Sequence, residues 1–246
     1  MNKSRAEAAE FFSRFSVHMQ SDAPVSGARV IVCPPYLALD TFAHFQESLS
    51  GVELGAQNVH GAKSGAFTGE VSVPMLAELN VSAVILGHSE RYQHFGETPE
   101  NVRARATAAL EGGLTAVVCV GEREADYRAG RSEEVVLDML RRSLPPPSTH
   151  GIGSLVIAYE PVWAIGTGLA ATAEVAQSIH AAIRGELKEQ LGDAVGEALP
   201  ILYGGSVTPD NIAGYTAERD IAGALVGGAS LDPDKFFDLI TRGSKR

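Results

Sequence analysis

Cysteine is scarce in this sequence, and long apolar runs are missing from it. The 246 residues include only Cys33 and Cys119, which excludes a disulfide scaffold and favours two buried, reduced strand thiols over a single bridge. No apolar stretch reaches the roughly 18–20 residues of a membrane span, and the charged first residues contain no signal-peptide core. We therefore predict a cytoplasmic protein without a membrane segment.

Basic residues are also few. The chain has 20 Lys and Arg against 30 Asp and Glu, for a formal net charge of −10. An acidic chain is poorly suited to wrapping nucleic acid or to docking on anionic lipid, so neither is expected as a partner. An anionic ligand would have to be attracted by local groups, because the overall field opposes it.

Short apolar runs rich in Val, Ile and Leu are what the sequence does contain. They are nearly continuous rather than alternating with polar residues, which is typical of strands in a parallel sheet covered on both faces. The predicted strands are residues 29–33, 53–57, 83–87, 116–120, 155–159, 201–203 and 223–226.

Helical patterns fill the intervals between the predicted strands. Strand and helix alternate along the whole chain and no linker divides it, so we expect one α/β domain over residues 1–246. Seven strands follow an opening helix, which leaves two architectures, an incomplete barrel or an open sheet. The predicted helices are residues 3–19, 40–49, 101–111, 132–144, 173–191, 209–215 and 233–241. A shorter apolar segment spans residues 73–79.

Two predicted strands end in side chains that can transfer protons. His88 follows the strand 83–87 and Glu160 follows the strand 155–159, where ligands bind in parallel α/β folds. Pro161 restricts the backbone at Glu160 to an extended conformation, which would help to aim the carboxylate. Taken singly, a core histidine and a salt-bridge carboxylate are equally ordinary interpretations.

Glycine pairs close the last two predicted strands. Gly204-Gly205 precedes Ser206, and Gly227-Gly228 follows the final strand. Consecutive glycines at strand ends expose backbone N–H groups to an anion, and barrels commonly bind phosphate after their last two strands. One pair alone would indicate only a tight turn, whereas two at adjacent strand ends predict a phosphate site.

Together these segments resemble the triosephosphate isomerase family over essentially the whole chain. The run Tyr-Glu-Pro-Val-Trp-Ala-Ile-Gly-Thr-Gly at 159–168 is the most specific part. The other matching segments are Ala-Gln-Asn at 56–58, Gly-His-Ser-Glu-Arg at 87–91, Cys-Val-Gly-Glu at 119–122, Tyr-Gly-Gly-Ser-Val at 203–207 and Leu-Val-Gly-Gly-Ala at 225–229.

The resemblance implies a step of glycolysis and gluconeogenesis, the interconversion of dihydroxyacetone phosphate and glyceraldehyde 3-phosphate, without a metal or organic cofactor. Glu160 would be the catalytic base, and His88 would act as a neutral imidazole that polarises the carbonyl. The phosphate would be held by Gly166, Ser206, Gly227 and Gly228. A lid would close over the substrate, formed by Trp163, Ala164, Ile165, Gly166, Thr167 and Gly168.

The resemblance also implies a homodimer. The loop from Asn58 to Gly69, with Phe67 and Thr68 at its tip, resembles the segment that inserts into a neighbouring subunit of the family. From the residues alone, packing of this loop on its own barrel would be favoured.

The sequence departs from the family at its beginning. The family opens with a strand ending in Asn-x-Lys, whereas this sequence begins at Met1-Asn2, where that motif would finish. The expected fold is therefore a (β/α)8 barrel without its first strand, and a misassigned start is the leading explanation. We expect impaired turnover for the chain as written, because it would lack the family's catalytic lysine.

Two other functions are weighed against isomerisation. Another phosphate-binding (β/α)8 enzyme, such as an epimerase or a synthase, would share the glycine pairs without needing the segment after Glu160. A catalytically inactive paralogue is supported only by the missing lysine. Retention of Glu160, His88 and the complete lid segment argues against decay of function.

Overall fold

Seven short strands form one parallel sheet, and their spatial order is the order of the chain. The computed structural model describes residues 1–21, 27–165 and 171–244. All seven predicted strands are confirmed to within two residues at either end. They are β1 (Val30–Val32), β2 (Val52–Ala56), β3 (Ala83–Leu86), β4 (Thr115–Val120), β5 (Leu155–Tyr159), β6 (Ile201–Tyr203) and β7 (Gly223–Ala224).

Helices occupy the connections between strands, as the alternation predicts. Turns of 3-10 helix also occur at Tyr36–Ala38, Ile152–Ser154, Val162–Ala164 and Gly228–Leu231. The described α-helices are α1 (Arg5–Ser21), α2 (Leu39–Ala43), α3 (Val73–Ala77), α4 (Ser89–His94), α5 (Pro99–Glu111), α6 (Glu124–Arg128), α7 (Ser132–Ser143), α8 (Ala173–Leu191), α9 (Asp193–Ala198), α10 (Ile212–Thr216) and α11 (Pro233–Gly243).

Two predicted helices are shorter than expected. The helix predicted over 40–49 ends at Ala43, because the next residues make hydrogen bonds to the third residue before them, as in Phe45 N–H to Phe42 O. The helix predicted from 209 begins only at Ile212. Residues 208–211 form a turn instead, in which the Asn211 side-chain oxygen accepts from the Thr208 N–H at 2.8 Å.

The strands present their two faces to different parts of the core. In β4 and β5 one set of alternate residues joins the main core between sheet and helices, including Val118 and Ile157. The opposite set, Val117, Cys119 and Val156 with Ala158, forms a smaller cluster on the inner face. Burial on both faces explains why the strand sequences are continuously apolar.

The described helices are continuous across the gap between β1 and β7, where the described strands are not paired. Among the described residues, β1 and β7 each pair with one neighbour only, so both are edge strands. Helix α1 nevertheless packs on both α2 and α11, which accompany the two edge strands. Phe12 meets Phe42 of α2 edge-to-face at 5.4 Å, and Phe15 lies 5.4 Å from Phe236 of α11. Over the described residues, the architecture is an α/β barrel with seven strands, one fewer than a complete (β/α)8 barrel.

His180 is a fully buried titratable group in this core. It lies on α8 with 0% exposure, and its ring meets Tyr159 of β5 edge-to-face at 5.8 Å. Nδ1 lies 3.1 Å from the Asp220 carbonyl oxygen and therefore carries the proton, whereas Nε2 has no hydrogen-bond partner among the described residues. Burial lowers the pKa of His180 to about 4, because a charged ring there would lose its hydration.

None of the helices in the described ranges combines the length and the apolar composition that crossing a membrane requires.

Replacing Phe15 by Ala is expected to destabilise the protein by about 3–5 kcal/mol, because the ring is completely buried between α1 and α11. Urea unfolding followed by circular dichroism measures this change. Val17→Ala, on the exposed side of the same helix, is the control and should change stability by less than about 0.5 kcal/mol. Equal effects of the two substitutions would contradict the placement of α1.

His180 should make the protein less stable in acid. The unfolded ring takes up a proton below about pH 6.5, but the folded ring does so only near pH 4, so stability is lost as the pH falls between these values. The loss should approach roughly 3 kcal/mol by pH 4. His180→Asn keeps a donor for Asp220 O and should remove this part of the pH dependence in urea titrations. The exposed His94→Asn should leave it unchanged.

Candidate active site

Glu160 and His88, predicted separately at two strand ends, are in direct contact. Glu160 Oε1 lies 3.0 Å from His88 Nε2, and the second carboxylate oxygen accepts a 2.9 Å hydrogen bond from the Ser89 N–H. Parallel pairing of β3, β4 and β5 brings these strand ends to the same edge of the sheet. The Glu160 N–H donates to Val120 O at 2.8 Å, which extends the β4–β5 pairing as far as the site.

The environment of Glu160 favours its protonated form. The residue is 2% exposed, and burial raises its pKa to about 8, although the hydrogen bond from Ser89 works in the opposite direction. The charge of nearby Glu90 raises the pKa further. A carboxylate that is expensive to keep charged is a strong proton acceptor, which is the property that a general base requires.

His88 is held as a neutral ring of defined orientation. It is the N-cap of α4, where its Nδ1 accepts from the Glu90 N–H at 3.3 Å. Burial lowers the pKa of His88, and the positive end of α4 also disfavours an imidazolium. With Nδ1 accepting, the neutral ring carries its proton on Nε2, which is the atom that faces Glu160.

Two glycines make room for Glu160. From the sequence, Gly204 is predicted to belong to a phosphate-binding pair, and Gly121 is assigned no role in the site. A Cβ on Gly121 would lie 1.8 Å from the Glu160 carbonyl oxygen, and one on Gly204 would lie 2.8 Å from Glu160 Cγ. Gly121 directly follows β4 and Gly204 directly follows β6, the strands on either side of β5. Their occurrence at strand ends flanking a carboxylate is the signal from which close packing could have been inferred.

Glu122 supports the same region and was also missed as a functional residue. Its Oε1 accepts from Ser132 Oγ at 3.0 Å, from the Tyr159 hydroxyl at 3.1 Å and from Trp163 Nε1 at 2.8 Å. The residue is 1% exposed, so these donors replace water around Oε1, whereas Oε2 has no hydrogen-bond partner among the described residues. An acidic residue directly after a buried strand was the available sequence signal.

The predicted phosphate-binding residues lie after β6 and β7. Ser206 Oγ donates to Ala164 O at 2.9 Å, which ties the segment after β6 to the segment after Glu160. Gly227 and Gly228 begin the turn that follows β7, and a Cβ on either would meet no atom within 4 Å. These backbones therefore border open space. Gly166 falls outside the described residues.

The predicted lid is described only at its beginning. Trp163 and Ala164 belong to the 3-10 turn after Glu160, and Ile165 ends the described segment. Gly166, Thr167 and Gly168 lie outside the described residues. Over the described ranges, no group of three or more His, Cys, Asp or Glu side chains is arranged to hold a metal ion.

The predicted loop 58–69 follows β2. Asn58 is buried, with its side-chain oxygen accepting from Arg105 at 2.7 Å and its carbonyl accepting from the Tyr36 hydroxyl at 2.5 Å. The ring of Phe67 packs on His60 with centroids 4.1 Å apart, yet 47% of Phe67 remains exposed. The loop is therefore anchored at its base and presents an apolar tip.

Comparison with known proteins identifies one family. The family model described as triosephosphate isomerase matches residues 1–243. The chain is 46% identical to a triosephosphate isomerase of Solibacter usitatus over 240 residues, which cover 98% of this chain and 95% of that protein. It is 50% identical to the Herpetosiphon aurantiacus enzyme over 211 residues, covering 86% and 84% of the two chains.

A third relative, the triosephosphate isomerase of Symbiobacterium thermophilum, is 45% identical over 238 residues, which cover 96% of this chain and 91% of that one. These matches do not favour the epimerase, synthase or inactive-paralogue alternatives. The contact between Glu160 and His88, the closely packed glycines and the similarity along the whole chain agree: this chain belongs to the triosephosphate isomerase family.

Proposed function

We propose that the protein interconverts dihydroxyacetone phosphate and glyceraldehyde 3-phosphate by proton transfer through an enediolate. The observation that carries this proposal is the contact between a buried carboxylate of raised pKa and a neutral imidazole, Glu160 and His88. Isomerisation of a hydroxy ketone needs a base for a C–H proton and a donor for the adjacent oxygen, and these two groups supply them.

Each proton that leaves a carbon or an oxygen in the proposed reaction is returned in a later step. Glu160 takes a proton from C1 of the ketose, and the electron pair moves toward the C2 oxygen, which accepts a hydrogen bond from His88 Nε2–H. His88 transfers protons between the oxygens on C1 and C2. Protonated Glu160 then returns its proton to C2, which gives the aldose and restores the carboxylate.

Ser206, Gly227, Gly228 and Gly166 are proposed to hold the substrate phosphate through backbone N–H groups. Ser206 follows β6, and Gly227 and Gly228 follow β7. A Cβ on Gly227 or Gly228 would meet no neighbouring atom, so a ligand can approach their backbone closely. With a net charge of −10, phosphate binding depends on such local donors rather than on the overall field. The lid from Trp163 to Gly168 would exclude water from the enediolate.

We further propose a homodimer formed through loop 58–69. Large apolar side chains are exposed after three successive strands: Leu37 after β1 is 81% exposed, Phe67 after β2 is 47% exposed and Phe95 after β3 is 66% exposed. Neighbouring strand ends bring these residues to one side of the molecule. An apolar surface of this kind is typical of a protein interface, and a second copy of the chain would cover it.

A cytoplasmic location is part of the same proposal. Cys33 and Cys119 are free thiols in the structure, and burial raises the pKa of Cys33 to about 12. Unpaired cysteines with unreactive, protonated thiols suit a reducing compartment.

Shortening Glu160 tests the proposed chemistry. Glu160→Asp withdraws the carboxylate by about 1 Å and is expected to lower kcat by roughly 100-fold relative to the unsubstituted enzyme. For the unsubstituted enzyme, kcat/KM should fall about tenfold per pH unit below a pH near 8, because the base acts only as a carboxylate. Turnover is measured in both directions by coupled assay across the pH range.

The matched control for this experiment is Glu78→Asp, the same change at an exposed position after α3, which should leave kcat unaltered. Equal kcat for Glu160→Asp and the unsubstituted enzyme would remove Glu160 from the role of base.

Substitution of Phe67 tests the proposed dimer. Phe67→Asp places a charge on the apolar tip and is expected to shift the protein from dimer to monomer in sedimentation velocity. Val17→Asp puts the same charge on an exposed residue of α1 and should remain dimeric. Sedimentation of the unsubstituted chain as a monomer at micromolar concentration would contradict the proposal.

A further inference from the structure

Trp163 is the only tryptophan in the chain and lies three residues after Glu160. Its Nε1 donates to Glu122 Oε1 at 2.8 Å. Its ring stacks on Tyr127 with centroids 3.9 Å apart and an interplanar angle of 14°. The indole is therefore held by a hydrogen bond from its nitrogen to Glu122 and by stacking on the ring of Tyr127.

Tyr127 has no structural role that would account for this stack. It belongs to α6, a five-residue helix in which no residue is buried, and its own side chain remains 41% exposed. The helix is secured by ion pairs, from Glu124 to Arg128 and from Asp126 to Arg131. Tyr127 therefore packs on Trp163 and does not contribute to the hydrophobic core.

The backbone between Glu160 and Trp163 has little conformational freedom. Proline fixes the backbone at Pro161, the Val162 N–H donates to Glu122 O at 3.2 Å, and the Ala164 N–H donates to Pro161 O at 2.8 Å. A displacement of the indole is consequently transmitted to Glu160 through one turn of chain.

A substrate requires such a displacement. Glu160 Oε1 and His88 Nε2 are 3.0 Å apart, which is hydrogen-bond distance and leaves no space for a reacting carbon between them. His88 is fixed as the N-cap of α4, so Glu160 is the group that has to withdraw.

We propose that Tyr127 is a positioning residue for Glu160, which it restrains through Trp163 in the arrangement bonded to His88. The restraint is released when a substrate enters between the two groups. This inference rests on the proposed function. Aromatic stacks contribute enough that loss of this one should change ligand affinity by roughly two- to twelvefold.

The experiment compares Tyr127→Leu, which keeps an apolar cover without a stack, with Tyr127→Phe, which keeps the ring. Tyr127→Leu should lower KM for dihydroxyacetone phosphate and the Kd for glycerol 3-phosphate by roughly two- to twelvefold, with kcat unchanged. Tyr127→Phe should match the unsubstituted enzyme. Arg128→Ala removes an ion pair of the same helix and controls for general loosening of α6.

A second measurement needs no turnover, because the fluorescence of the protein's single tryptophan reports on Trp163 alone. Acrylamide quenching should increase in Tyr127→Leu but not in Tyr127→Phe. In the unsubstituted protein, glycerol 3-phosphate should change the fluorescence as the stack is released.

The proposed restraint would be contradicted if Tyr127→Leu bound glycerol 3-phosphate as well as, or more weakly than, the unsubstituted protein. A loss of kcat at constant KM in Tyr127→Leu would also contradict it. So would the absence of a fluorescence response to glycerol 3-phosphate in the unsubstituted protein. An unsubstituted protein that binds glycerol 3-phosphate with the expected fluorescence change but turns over no triose phosphate would refute the proposed function alone.

Discussion

The site depends on keeping one carboxylate out of water. Glu160 is nearly inaccessible, and polar contacts to His88 Nε2, to the Ser89 N–H and to the Cys119 thiol compensate part of the lost hydration. Burying a charged carboxylate with few hydrogen-bond partners costs free energy, and this cost raises the pKa of Glu160. The same cost makes the group basic enough to take a proton from carbon. The surrounding architecture serves to hold this carboxylate in place.

Close approach of the backbone is what allows this burial. Glycine at 121 and 204 lets the ends of β4 and β6 contact Glu160 directly, where any larger residue would displace it. Parallel pairing aligns the strand ends, so groups from β3 and β5 meet although 72 residues separate His88 from Glu160. On the outside, α1 packs between α2 and α11 and completes the helical layer beside the two edge strands.

A second buried carboxylate organises the segment after Glu160. Glu122 accepts hydrogen bonds from residues of β5 and α7 and from Trp163, and the ring of Tyr127 stacks on the indole. Stability and the proposed catalysis place different demands on this segment. Glu160 has to be held in position, but it also has to move when a substrate binds. A partly exposed aromatic stack suits that requirement, since separating two rings near the surface costs less than opening the core.

Local sequence determined the strands and most helices, and it singled out Glu160 and His88 as the residues proposed to transfer protons. Continuous apolar runs and the residues that end them are local properties, which is why the order of elements follows from them. Helix ends at residues 43 and 212 were misjudged because turn hydrogen bonds, such as Thr208 to Asn211, competed with the helix. Only the tertiary structure decided that Glu160 bonds to His88, that Gly121 and Gly204 flank it, and that Tyr127 covers Trp163. These contacts join residues far apart in the chain or on separate elements, and the distances between them arise only when the sheet and its helices pack.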